Sequence, residues 1–104
     1  MRMDRIISEL RPFFNEKGQL TALPGKYKKK LIAYHYLASK IELGKRYTEA
    51  EINEILNSWT TFRDPATLRR ELFDRHLLNR TKDCRSYWRE GELPPLEEFI
   101  ADNI

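Results

Sequence analysis

Two helix start signals followed by a strand–turn–strand pattern, all between Arg46 and Arg89, constrain this chain more than any other feature. Thr48-Glu49-Ala50-Glu51 is a capping box: the Thr48 hydroxyl accepts from the Glu51 N–H, and the Glu51 carboxylate reaches back to the N-cap. It opens a helix over Glu49 to Trp59 with Ile52, Ile55, Leu56 and Trp59 in one apolar stripe. Asp64-Pro65 is the second signal, an acceptor at the N-cap and a proline where its missing N–H costs no bond. It opens a helix over Asp64 to Arg75. Leu68 and Leu72 mark the buried face, so Ala66, Arg70 and Asp74 point away, with Thr67 and Phe73 flanking. Leu77-Leu78-Asn79-Arg80 and Ser86-Tyr87-Trp88-Arg89 then read as paired strands around the polar turn Thr81-Lys82-Asp83-Cys84-Arg85, and Arg46-Tyr47-Thr48 forms a short extended entry.

Extended entry, helix, helix and hairpin make the order of a winged helix-turn-helix. The expected fold is mainly α with a small β-hairpin, an α+β single domain over residues 1–104. Residues 1–25 supply an added N-terminal helix and turn, 26–89 the winged core and 90–104 an acidic helical tail. In the first part, Ile6, Ile7, Leu10, Phe13 and Phe14 fall at helical spacing within Asp4 to Phe14, and Pro12 kinks or closes the segment. Asn15-Glu16-Lys17-Gly18 is a turn, Gln19-Leu20-Thr21 a short strand, and Leu23-Pro24-Gly25 a break. A long helix follows, about Lys26 to Ile41, closed by Gly44 in the left-handed conformation. Tyr27, Leu31, Tyr34, His35, Ala38 and Ile41 share one side of it, while Ile32 and Tyr36 point roughly opposite. A helix apolar on two sides is sandwiched, here between the winged unit and the N-terminal helix. His35 on the main apolar face is a packed, hydrogen-bonded residue. In the tail, Leu96, Phe99 and Ile100 form an amphipathic helix too short to stand alone, which must dock on the domain or on a second copy in a homodimer.

Charge narrows the partner. Net charge is only +3, but residues 26–46 carry +6 and residues 63–89 carry +4, against −3 over 47–62, −5 over 90–104 and +1 over the first 25. A basic body with an acidic tail suits an anionic partner. No apolar run reaches membrane-span length, the N-terminus lacks a secretory segment, and a lone cysteine, Cys84, excludes an intrachain disulfide; the expected location is the cytoplasm. No nucleophile–base pair, phosphate-cradling glycine loop or metal-ligand spacing is visible. The chain therefore reads as a non-enzyme without cofactor or metal.

The residues expected to meet DNA are Thr67, Arg69 and Arg70 on the second helix of the winged unit, with Arg69 nearer the buried side. Arginine there can pair bidentately with guanine, unless an acid such as Glu71 or Asp74 claims it. Lys82 and Arg85 on the wing are placed for phosphates, with Asn53 a further polar candidate. Lys26, Lys28, Lys29 and Lys30 crowd the start of the long helix, where cations oppose the helix dipole at about a few tenths of a kcal/mol each, so anion binding is a fair reading of them beside that of a solvated face. Tyr87 and Trp88 alternate, and Trp88 is the expected packing residue. Cys84, with no resolving cysteine, reads as an ordinary thiol.

With those elements in place, the chain resembles the bacterial family catalogued as domain of unknown function 2087. The matching stretches are Phe13 to Gly18, Leu23 to Lys26 with Lys28-Lys29-Lys30, Gly44 to Glu49, Glu51 to Leu56, Ala66 to Leu72, and Tyr87-Trp88-Arg89. The family occurs alone and fused behind helix-turn-helix regulators, so the resemblance implies a transcriptional regulator binding duplex DNA, or else a sensing and pairing module. A glycine usually ends the Arg-Arg helix in that family, whereas His76 stands there in this chain, which bears on how the wing is aimed. Two rival functions stay open: a protein-interaction or dimerisation module, favoured by Glu71, Asp74 and the acidic tail, and an RNA- or ribosome-binding protein using the same lysines.

Overall fold

The computed structural model describes residue 6 and residues 8–104, so the expectations placed on Asp4 and Ile7 lie outside the described residues. Helix α1 is described at residues 8–10 and passes into the 3-10 turn Arg11–Phe13. Pro12 therefore closes the first segment. Phe14 leaves extended and pairs antiparallel with Leu20, which in turn pairs with Thr60 in parallel, so the expected strand at 19–21 reduces to bridges at Leu20. The Asn15 side-chain oxygen accepts from the N–H groups of Lys17 and Gln19 at 2.9 and 3.0 Å, and Gly18 completes the turn at φ +78°.

Helix α2, Tyr27–Ala38, has no side-chain cap and no acid in its first turn. Tertiary burial sustains it: every residue from Leu31 to Ala38 is buried. Its cover differs in part from the expectation. Tyr34 donates to Glu71 on one side, His35 packs on Phe99 with ring centroids 5.7 Å apart, and Tyr36 meets Phe14 and Trp59 edge-on. The C-terminal tail, and not only the N-terminal segment, thus closes the sandwich. Tyr27, expected on the apolar face, is exposed. The helix also stops at Ala38 rather than Ile41. The Ser39 hydroxyl takes the Tyr36 carbonyl, and the following N–H groups of Lys40 and Ile41 reach only three residues back. Gly44 does adopt φ +79°, but in the connecting loop and not as the helix cap.

Helix α3, Glu49–Trp59, begins at the expected capping box, with both reciprocal bonds formed at 2.8 and 3.1 Å. Helix α4, Pro65–Asp74, begins at Asp64, whose carboxylate accepts from the Thr67 N–H at 3.3 Å. The helices join through Ile52, Leu56, Leu68 and Leu72, all fully buried. α4 ends in a Schellman motif: the Leu77 N–H bonds the Leu72 carbonyl and the His76 N–H bonds the Phe73 carbonyl, while His76 takes φ +62°. The turn is thus kept without its glycine. A side chain in that conformation costs about 1–2 kcal/mol, against roughly 0.5–1 kcal/mol of extra backbone entropy for glycine. His76→Gly is accordingly expected to raise stability by about 0.5–1 kcal/mol, read as a higher urea midpoint at unchanged slope.

Strands β1, Asn79–Arg80, and β2, Tyr87–Trp88, pair antiparallel with Asn79 opposite Trp88 and Arg80 opposite Tyr87. Tyr47 exchanges both backbone bonds with Tyr87, each 2.8 Å, which ties the entry to α3 against the hairpin. Helix α5, Leu96–Asn103, lays Leu96, Phe99 and Ile100 into the core beside α2. The result is a mainly helical α+β fold with a small two-stranded sheet. No helix among the described residues is long and apolar enough to cross a membrane.

Candidate nucleic-acid interface

The outward face of α4 carries Thr67 and Arg70, both exposed, because Leu68 and Leu72 turn the opposite face into the core. Among the described residues Arg70 has no ion-pair partner. Neither acid that could have claimed it does so. Glu71 accepts from the Tyr34 hydroxyl at 3.0 Å and pairs with Arg75 at 3.2 Å, and Asp74 stays exposed. Arg69 is used differently. Its Nη1 donates to Asn53 Oδ1 at 3.0 Å and lies 3.4 Å from Glu49 Oε1, so it ties α4 to α3, and Asn53 is occupied by the same tie.

The hairpin stands beside this face. Its turn is held by the Thr81 hydroxyl and the Asp83 carboxylate, which accept the N–H groups of Arg85 and Ser86. The Thr81 hydroxyl, the Arg85 N–H and Asp83's own N–H hold the Asp83 carboxyl below its ordinary range. Cys84 takes φ +60° to close the turn. Lys82 projects freely, whereas Arg85 lies 3.6 Å from Asp83 in an exposed pair that water largely screens. Phe73, half-exposed on α4, rests under the Arg80 guanidinium at 4.2 Å, so the hairpin covers it. Tyr87 is the strand residue in the core. Trp88 is half-buried and packs under the Arg46 guanidinium, 4.1 Å from its ring, while the core position of the pair goes to Tyr87.

Between α4 and the hairpin lies a cleft of about 330 Å³, lined by Arg69, Arg70, Phe73, Arg80, Cys84 and Tyr87 among others. Arg80 had no place among the expected residues. The signal for it was Phe73, an aromatic left half-exposed on a helix, which needs a cover. The lysines are not brought to this cleft. Lys26 and Lys28 are exposed, and Lys29 and Lys30 half-buried, at the start of α2; Tyr27 between them meets Arg75, the residue closing α4. At 1.5 Å rise per residue, that end is on the order of 12 Å along α4 from Thr67. Among the described residues no three His, Cys, Asp or Glu side chains converge to hold a metal.

The fold and this face define a small helical domain with a basic hairpin beside an exposed arginine on a helix. The chain belongs to the bacterial family described as uncharacterized proteins conserved in bacteria, domain of unknown function 2087, whose model matches residues 19–89. That span runs from Gln19 to the end of the hairpin and leaves α5 outside. No curated protein and no solved structure matches the chain.

Proposed function

We propose that this protein binds duplex DNA as a small cytoplasmic regulator of winged-helix type, with α4 offered to the major groove and the hairpin turn to the flanking backbone. The observation that carries the reading is the outward face of α4, where Thr67 and Arg70 are exposed and Arg70 is unclaimed by any described acid. A guanidinium so placed has its full fork of donors for a base edge or phosphate. Lys82 serves as a backbone contact, and Lys26, Lys28, Lys29 and Lys30 as a second, more distant one. Arg69 acts by fixing α4 on α3, and Arg85 contributes less than Lys82 because Asp83 stands beside it.

Arg70→Ala is expected to weaken duplex binding by about 1–3 kcal/mol and to relax preference at one position. Lys82→Ala should weaken all sequences alike and lower the salt slope by about one. Anisotropy titrations with duplex DNA, single-stranded DNA and RNA at two salt concentrations test both. A second reading, a protein-interaction module, draws on the carboxylates of Glu49, Asp74 and Asp83 around the same face. Absence of duplex affinity at low salt would put that reading in place of the first.

A further inference from the structure

We propose that the cleft between α4 and the hairpin is a binding site for the phosphate group of a small phosphorylated molecule, held between Arg70 and Arg80. The volume, about 330 Å³, lies at the low end of the range of small-molecule pockets. Its donors are unusually free. Arg80 uses Nη1 for the Thr81 carbonyl and the Cys84 sulfur, both at 3.3 Å, and neither acceptor is a carboxylate. Arg80 is held in place by the Phe73 ring, so its remaining N–H groups are pre-oriented. Arg70 has no acid partner among the described residues, and the buried Nε of Arg69 has no hydrogen-bond acceptor there.

The carboxylates of the cleft do not cancel this charge. Glu49 is engaged by Arg69 and by the Tyr87 hydroxyl at 3.2 Å. Asp74, one turn beyond Arg70, is not within ion-pair distance of it. Two guanidinium forks facing one cleft, with one uncommitted acid at its border, favour a compact oxyanion that takes bidentate bonds over a monatomic anion. Phe73 and Ala66 add apolar wall for the organic part of the molecule.

Cys84 borders the same cleft and is the chain's single cysteine, so its alkylation by iodoacetamide reports occupancy on the unlabelled protein. Rates are measured in inorganic phosphate, in chloride of matched ionic strength, and with a short DNA duplex. At phosphate ten times its dissociation constant, alkylation should slow about tenfold. Arg70→Gln should remove that protection, and Arg80→Gln likewise; if Arg80→Gln fails to fold, the exposed Arg70 variant decides. Phosphate protecting no better than chloride, or protecting Arg70→Gln equally, overturns the proposal. Protection by the duplex alone assigns the donors to a nucleic-acid backbone and overturns the small-molecule source. The phosphate arm contains no DNA, so its outcome is independent of duplex binding: protection without duplex affinity leaves this site standing and removes only the DNA reading.

Discussion

Truncation after Arg89 is expected to abolish cooperative folding, although it leaves every residue that the family model matches in place. α5 inserts Leu96, Phe99 and Ile100, none more than 5% exposed, against α2. Burying each is worth about 1.5–3 kcal/mol, an upper bound because an unfolded chain already hides part of that surface. His35 would also lose the Pro94 carbonyl, now 2.8 Å from its Nε2. A loss of several kcal/mol meets a total stability of about 5–15 kcal/mol for a domain of this kind. The milder variant Phe99→Ala should cost about 3–5 kcal/mol while leaving a measurable transition. Thermal melting followed by circular dichroism checks both; a truncated chain that melts at the parent midpoint would mean that α5 contributes nothing to the core.

The second large effect is alkaline. Tyr34 is pushed up to about 12, first by burial, then by the hydrogen bond it donates to Glu71 and by that carboxylate's charge, with Arg75 opposing. Tyr87 is also pushed up to about 12, by burial and by its hydroxyl's position beside the Cys84 sulfur and the Glu49 carboxylate, against Arg69. Burial raises Tyr36 as well. The folded chain holds these phenolic protons more tightly than the unfolded chain does. Their contribution is therefore complete below the ordinary value of 10.0 and is lost as pH rises toward 12. At about 1.4 kcal/mol per pH unit, Tyr34 can lose up to roughly 2–3 kcal/mol, and Tyr87 loses stability in the same direction.

Lys40 works in the opposite sense. Burial against the Tyr36 and Trp59 rings lowers its affinity for a proton, so deprotonation relieves the folded chain as pH rises. The tyrosines outweigh it because two of them shift far and it is one partly exposed ammonium. Urea midpoints should be level from pH 7 to about 9.5 and then fall steeply, and Tyr34→Phe should flatten part of the fall. A midpoint unchanged through pH 11.5 would show that the phenols titrate alike in the folded and unfolded chains.

Local chemistry made the middle of the fold legible. Thr48 with Glu51, and Asp64 with Pro65, satisfy helix-end N–H groups from within a few residues, so both helix starts could be read without tertiary information, and both formed. The hairpin followed from alternation around a polar turn, and the outward placement of Arg70 followed from helical periodicity about Leu68 and Leu72. Two placements differ from that reading: α2 ends three residues early, where the Ser39 hydroxyl takes a backbone carbonyl, and the core side of the hairpin falls to Tyr87, whose buried ring sets its hydroxyl on Glu49.

The amino-acid sequence alone thus settled where helices begin, which residues face inward along α3 and α4, and where positive charge accumulates, because each depends on neighbours within one or two turns. Only the tertiary structure decided which arginines are committed and which are free. Arg69 and Arg70 are adjacent and chemically identical, yet one is bound to Asn53 and Glu49 across the α3–α4 contact while the other stands open at the cleft. Likewise the cover of α2 fell to α5, some sixty residues away in the chain, because burial rewards whichever apolar face reaches the surface, whatever its separation in sequence.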